Sequence, residues 1–188
     1  MINELRKKEA QRIKNENMIN KINEEFPASY KHLISESPRT LKELLFNQWG
    51  AKQNVVWHPE GNTLKHILVV LRRAYEKYPD NPNIIIAALF HDLGKMETYG
   101  INEKTGQPTA YGHEHKSAEY VLQYKDWILS FEGTDIEAIH FIVQNHMLVK
   151  YPNPILESMR PFKREAIENH RSFNDLISFS TIDKGGIN

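Results

Sequence analysis

The 188-residue sequence contains no cysteine, which removes disulfide frameworks, thiolate zinc sites, iron–sulfur clusters and cysteine nucleophiles together. It has no excess of charge either: 24 Lys and Arg stand against 24 Asp and Glu, a formal net charge of zero at pH 7. That balance argues against a protein that coats DNA or an anionic membrane by bulk attraction, and leaves room only for a local basic patch. Long hydrophobic runs are missing. The longest wholly apolar stretch, Ile84 to Phe90, is far too short to cross a bilayer, and the opening MINELRKKEAQR lacks the pattern of a signal peptide. A soluble, cytoplasmic protein without membrane contact is expected. There is no internal repeat, low-complexity tract or βαβ alternation, and no Walker loop, Gly-rich dinucleotide fingerprint or Gly-x-Ser-x-Gly elbow. What the chain has in plenty is histidine: nine residues, seven of them between His58 and His146.

This length suits one domain, or one domain with an extension. Residues 1–50 read as a short N-terminal helical extension. Residues 1–25 are rich in Lys, Glu, Asn and Arg, with a thin apolar stripe of Ile19, Ile22 and Phe26. A short helix follows over about 40–49, with Leu41, Leu44, Leu45 and Trp49 at core spacing and an end at Gly50. Residues 51–188 read as one domain built from helices in succession, an all-α fold. Asn62 or Thr63 caps a helix whose buried side carries Leu64, Ile67, Leu68, Leu71, Ala74, Tyr75 and Tyr78 and which stops before Pro79. Asn81-Pro82 then opens a buried helix over IIIAALF, with Gly94 expected as its C-terminal cap. The four Gly and Pro residues between 100 and 112 indicate a loop, with room for a small hairpin near 96–111 turning at residues 102–106. Helix is expected again over 113–129, and after a Thr134–Glu137 capping box with Ile136, Ile139, Val143 and Met147 inward. A Pro-punctuated stretch runs over 151–161. A last helix, with Phe173, Leu176, Ile177 and Ser180 on one side, closes at Gly185-Gly186.

Four of these helices bring a His or an Asp to an end or an apolar face. His66 lies in the first, His91 and Asp92 sit where the most hydrophobic one stops, His146 is on the face of Val143, and Asp183 follows Leu176 and Ser180 at inward spacing. Burying one carboxylate is costly and burying two is worse, unless a cation compensates. Imidazoles and carboxylates converging from several helices are what a divalent metal with N and O ligands requires.

His66, then His91-Asp92 within HDLGK, then a distant Asp183, resembles the signature of the HD superfamily of metal-dependent phosphohydrolases, over about residues 55–186. WHPEGN ahead of His66, HDLGK and YGHEHKSA are similar to the HD domain carried by some bacterial tRNA nucleotidyltransferases, the CCA-adding enzymes. The resemblance implies an HD-domain helical bundle, with His66, His91, Asp92 and Asp183 as ligands of one divalent metal. In two-metal members a further His precedes a small-residue pair and another lies in a later helix. His113, ahead of Ser117-Ala118, and His146 stand in those positions here, and Asp92 would then bridge two ions. His115, in the same turn, is the alternative to His113. His140 is expected behind the ligands or in the core and His58 near the mouth, while His32 and His170 are given no role.

Such ligation suits Mn, Fe, Co, Ni or Zn, and Mg less as imidazoles accumulate. The implied reaction is attack of a metal-activated water on phosphorus, without a protein nucleophile. Lys95, three residues after Asp92, is expected to contact the phosphate, with Arg73 as a second candidate and Lys163 and Arg164 as a rim or a solvated face. His115 or Glu114 would protonate the leaving group. The expected substrate is a phosphomonoester or a cyclic phosphodiester of a nucleotide or an RNA end. Some fifty residues precede the HD region, fewer than a nucleotidyltransferase catalytic domain needs, so a free-standing relative of the hydrolytic domain is expected. Two other readings stand beside it: an HD-type di-iron oxygenase, and a metal-stabilised module that binds nucleic acid or a partner through residues 1–50.

Overall fold

The computed structural model describes residues 28–53, 58–149 and 155–183. The expectations for residues 1–26, for Trp57, for the first part of the Pro-punctuated stretch (151–154) and for the closing pair Gly185-Gly186 lie outside these. Two compact units make up the chain, residues 1–46 and 47–188. The first holds α1 (Ala28–Glu36) and all but the last residue of α2 (Arg39–Asn47). Leu41 and Leu45 are buried as their spacing requires, together with Phe46. Trp49 was expected beside them. Instead it lies in a 3-10 turn, Gln48–Gly50, and is 40% exposed, while its polar neighbour Gln48 is fully buried.

In the second unit local chemistry fixes the helix ends. Asn62 Oδ1 accepts from Lys65 N at 3.0 Å and starts α3 (Thr63–Lys77). Its buried side carries Leu64, Ile67, Leu68, Leu71 and Ala74, with His66 and Val70 among them. Asn81 Oδ1 accepts from Ile84 N at 3.2 Å and Pro82 occupies the first turn of α4 (Pro82–Phe90). Every residue from Ile84 to Phe90 is buried, because α4 packs against α3 and against three later helices: α5 (His113–Gln123), α7 (Ile136–Asn145) and α9 (Phe173–Ile182). A helix enclosed on all sides needs no polar face, and each large aliphatic or aromatic side chain buried this way contributes about 1.5–3 kcal/mol.

Between α4 and α5 a two-stranded hairpin pairs β1 (Gly100–Ile101) with β2 (Pro108–Thr109), Gly100 opposite Thr109. Asn102 Oδ1 accepts from Lys104 N and Thr105 N in its turn, and Gly106 takes a φ of 66° that other residues avoid. Helix 113–129 is not continuous: it breaks at Tyr124, and α6 (Lys125–Ile128) follows. The cap of α7 is Asp135, whose Oδ1 accepts from Glu137 N and Ala138 N at 3.0 and 3.3 Å. Thr134, the expected cap, donates its hydroxyl to the Ile128 and Phe131 carbonyls. After α7 come two 3-10 turns, His146–Val149 and Ile155–Ser158. The next helix, α8 (Pro161–Glu168), buries no residue, so no apolar stripe announced it. On α9 the buried face is Leu176, Phe179 and Ile182; Ile177, expected inward, is 41% exposed.

Gly94 is not a helix cap. Its φ is not among the positive ones, and a Cβ on it would lie 2.5 Å from the His113 carbonyl oxygen and 2.9 Å from Ser117 N. The residue is small because the first turn of α5 presses on it; Ser117 Oγ also accepts from Gly94 N at 2.9 Å. Among the described residues no helix is long and apolar enough to cross a membrane.

Candidate metal centre

Five helical segments deliver six side chains to one buried point. His66 comes from the second turn of α3, His91 and Asp92 from the C-terminal end of α4, and His113 from the first turn of α5. His146 follows the last residue of α7, and Asp183 follows the last residue of α9. All six are at most 5% exposed. Asp92 stands between two groups, with one carboxylate oxygen toward each. On one side Oδ2 lies 3.3 Å from His91 Nε2 and 3.7 Å from His66 Nε2, and Asp183 Oδ1 is 2.9 and 3.6 Å from the His66 and His91 nitrogens. On the other side Oδ1 lies 3.2 Å from His113 Nε2 and 3.8 Å from His146 Nε2.

The imidazoles are aimed by their outer nitrogens. His91, His113 and His146 each direct Nδ1 at the backbone carbonyl three residues earlier, Ala88, Ala110 and Val143, at 3.0, 2.7 and 2.7 Å. Donation from Nδ1 leaves Nε2 as the lone-pair nitrogen of each neutral ring, and all three point inward. His113 and His146 thereby face each other Nε2 to Nε2 at 3.3 Å, a repulsive arrangement of lone pairs unless a cation attracts both. His91 Nε2 and Asp92 Oδ1 are buried without a hydrogen-bond partner. Unsatisfied inward nitrogens and oxygens of this kind fit a divalent ion with mixed N and O ligands. Among the described residues three groups could hold an ion: His66, His91 and Asp92; Asp92, His113 and His146; and, on the outer side of His66, His58, Glu60 and His66.

Burial would raise the Asp92 carboxyl; its electrostatic attraction to the adjoining His91 ring and Lys95 ammonium outweighs burial and holds the group well below the usual carboxylate range. Burial, with His113 and His91 nearby, pushes His146 down to about 3, so the ring is neutral. His66 moves the other way: hydrogen bonds to Asp183 and Glu60 overcome its burial and raise it. Glu60, beside it, is lowered, as His66, its own backbone N–H and His58 outweigh burial.

Lys95 reaches the cluster. Its Nζ is 2.6 Å from Asp92 Oδ2, and the side chain is largely buried. Arg73 does not: Nη1 donates to the Ile182 carbonyl at 3.0 Å and secures the end of α9 just before Asp183. His115 is turned outward, 67% exposed, with Glu114 at 3.7 Å. Glu114 lies nearer, 3.6 Å from His113 Nδ1. His58 stands edge-on to His66, ring centroids 4.6 Å apart. His140 is half-buried and outside all three groups. His170 stacks on Phe141 at 3.6 Å, His32 pairs with Glu36, and Lys163 and Arg164 lie on α8. Two residues that the sequence reading passed over matter here. Gln48 donates Nε2 to the Leu93 carbonyl at 2.7 Å and accepts from Met96 N at 3.1 Å, clamping the turn that carries Asp92 and Lys95. Glu60 Oε1 faces His66 Nδ1 at 3.4 Å. Neither contact has a local signal; only the HPEG sequence beside Glu60 could have drawn attention to it.

A model of the HD domain family matches residues 63–171 of the chain. A protein named Multifunctional CCA protein from Herminiimonas arsenicoxydans is 40% identical over 73 residues, 39% of this chain and 16% of that protein. One of the same name from Teredinibacter turnerae is 39% identical over 75 residues, covering 40% of this chain and 17% of its own length. Another, from Shewanella denitrificans, is 35% identical over 86 residues, 44% of this chain and 20% of that protein. The chain thus spans a fifth or less of these relatives, within the HD-like part.

Proposed function

The chain belongs to the HD domain family, and on that premise we propose that it is a metal-dependent phosphohydrolase. Its substrate in this reading is a phosphomonoester or a cyclic phosphodiester of a nucleotide or an RNA end. The observation that carries the reading is Asp92, whose two oxygens each face a separate group of inward imidazole nitrogens. His66, His91, Asp183 and Asp92 Oδ2 would hold one ion, and His113, His146 and Asp92 Oδ1 a second. Mn, Fe, Co, Ni or Zn suits these donors better than Mg. A divalent ion bound there supplies an activated water and a Lewis acid for a phosphoryl oxygen.

The chain's own groups supply the rest. The neutral His146 ring offers a lone pair without a competing proton, and the burial of the four imidazoles limits the access of bulk water to the centre. The Lys95 ammonium, on the Asp92 carboxylate, is set to draw a phosphate oxygen toward the same point. Arg73 is occupied with the Ile182 carbonyl and is left out of this scheme. The relatives named Multifunctional CCA protein support the choice of nucleotides and RNA ends. The reading also expects a cytoplasmic protein, where such substrates occur.

Purified protein reloaded with Mn, Co or Ni is expected to release phosphate from an aryl phosphate, and from members of a panel of nucleotides and 2′,3′-cyclic nucleotides. Asp92→Ala is expected to remove that activity while circular dichroism stays native. Turnover that survives Asp92→Ala overturns the proposal. A coloured iron protein that consumes dioxygen and hydrolyses nothing would point to the oxygenase reading instead.

A further inference from the structure

Three histidines of the cluster are steered by main-chain carbonyls, and His66 is not. Its Nδ1 faces the Glu60 carboxylate at 3.4 Å, with the two side chains 0% and 2% exposed. Glu60 sits in the turn before α3, next to Gly61 at a φ of 82° and two residues before the capping Asn62. Its position is therefore set by a turn and a helix start, independently of the cluster. A buried carboxylate is unfavourable without compensation. Among the described residues this one meets His66, His58 and its own backbone N–H, and no Lys or Arg; Oε2 has no hydrogen-bond partner. A carboxylate held in a dry turn against the outer nitrogen of an inward imidazole is the usual device for fixing the tautomer and orientation of a metal-binding histidine.

We propose that Glu60 is a positioning residue: by accepting the Nδ1 proton of His66 it presents Nε2 to Asp92 and Asp183, and so sets the affinity of that half of the centre for its ion. The inference rests on the two-ion reading above. It makes the halves unequal, since His66 alone of the four histidines has a carboxylate rather than a main-chain carbonyl as the hydrogen-bond partner of Nδ1.

The test titrates Zn²⁺ and Mn²⁺ into metal-free full-length protein by calorimetry and follows the imidazole nitrogens of the Zn²⁺-loaded protein by ¹⁵N–¹H NMR. Glu60→Ala is expected to weaken one of two sites about 10- to 100-fold, to spare the other, and to lose the slowly exchanging Nδ1 proton of His66. Glu60→Gln keeps an acceptor oxygen and is expected to retain that proton and recover affinity to within about tenfold of wild type. Two wild-type affinities in Glu60→Ala, or equal weakening of both sites, would overturn the inference. Should Glu60→Ala fail to fold, Glu60→Gln decides alone: loss of the Nδ1 proton refutes, its retention with the stated affinity supports. Wild-type protein that binds ions but hydrolyses no phosphate ester would defeat only the phosphohydrolase reading. Wild-type protein that takes up no ion would defeat both.

Discussion

Gly94→Ala isolates one half of the proposed centre without touching any of its six converging side chains. The added methyl would lie 2.5 Å from the His113 carbonyl oxygen, 2.8 Å from Lys116 Cβ and 2.9 Å from Ser117 N, where ordinary contacts begin at 3.4 Å. Two of these three atoms belong to the backbone of α5 and cannot rotate away, so α5 or the turn after α4 must retreat by roughly 0.5–1 Å. Asp92 lies on one side of this contact and His113 on the other, their Oδ1 and Nε2 now 3.2 Å apart. Metal–ligand distances tolerate only about 0.2 Å. The His113–His146 half should therefore lose its ion while the His66–His91–Asp183 half keeps its own. Overpacking of this kind costs about 1–3 kcal/mol, which for a chain of this size lowers Tm by roughly 2–12 °C. Scanning calorimetry on metal-free protein reads the second quantity, and elemental analysis after dialysis reads the first. A Tm within a degree of wild type with two ions retained would refute the argument.

Other expectations follow from the same geometry. His115→Ala should leave kcat within about twofold of wild type, because the ring is 67% exposed and directed away from the cluster; a fall of a hundredfold would restore it to the catalytic scheme. Arg73→Met keeps the aliphatic stem but loses the bond to the Ile182 carbonyl, and should cost about 1–2 kcal/mol in urea melts. Gln48→Leu removes both ends of the clamp on residues 93–96 and should cost about 2–3 kcal/mol while weakening both ions, since Asp92 serves each half. For pH, His146 is held at about 3 against 6.5 in the free side chain, so its contribution to metal-free stability is present above pH 6.5 and is lost as pH falls toward 3. The slope is at most ~1.4 kcal/mol per pH unit. His66 is raised and works in the opposite sense, stabilising below its unfolded value and losing that as pH rises through its folded one. Denaturant melts in EDTA from pH 8 to pH 4 should show the acid-side loss, and His146→Leu should flatten it; an unchanged slope would refute the assignment.

Features that depend on neighbours in sequence were legible in it. Asn62 and Asn81-Pro82 announce their helices because a cap bonds to a backbone N–H three residues away. The stripe of α3 and the wholly apolar α4 followed from period and composition. The convergence of six buried polar residues was legible because they recur on buried faces and because HDLGK resembles a known family. What failed depends on tertiary contact. Gly94 is the same letter whether it ends a helix or makes room for one, and only the position of α5 decides. The cap at Thr134 moved one residue to Asp135 because the Thr134 hydroxyl had the Ile128 and Phe131 carbonyls within reach. Trp49 and Gln48 exchange places between surface and interior since Gln48 finds both its partners some 45 residues away. His115 and His113 share a turn, and helix geometry alone sends one inward and the other out.

The carbonyls of Ala88, Ala110 and Val143 that steer three of the imidazoles are peptide groups, common to every amino acid. No point mutation at those positions deletes them. Selection can rework the outer loops toward new substrates while this part of the cradle keeps its aim, a form of mutational robustness that comes from placing the anchor in the polymer rather than in its side chains.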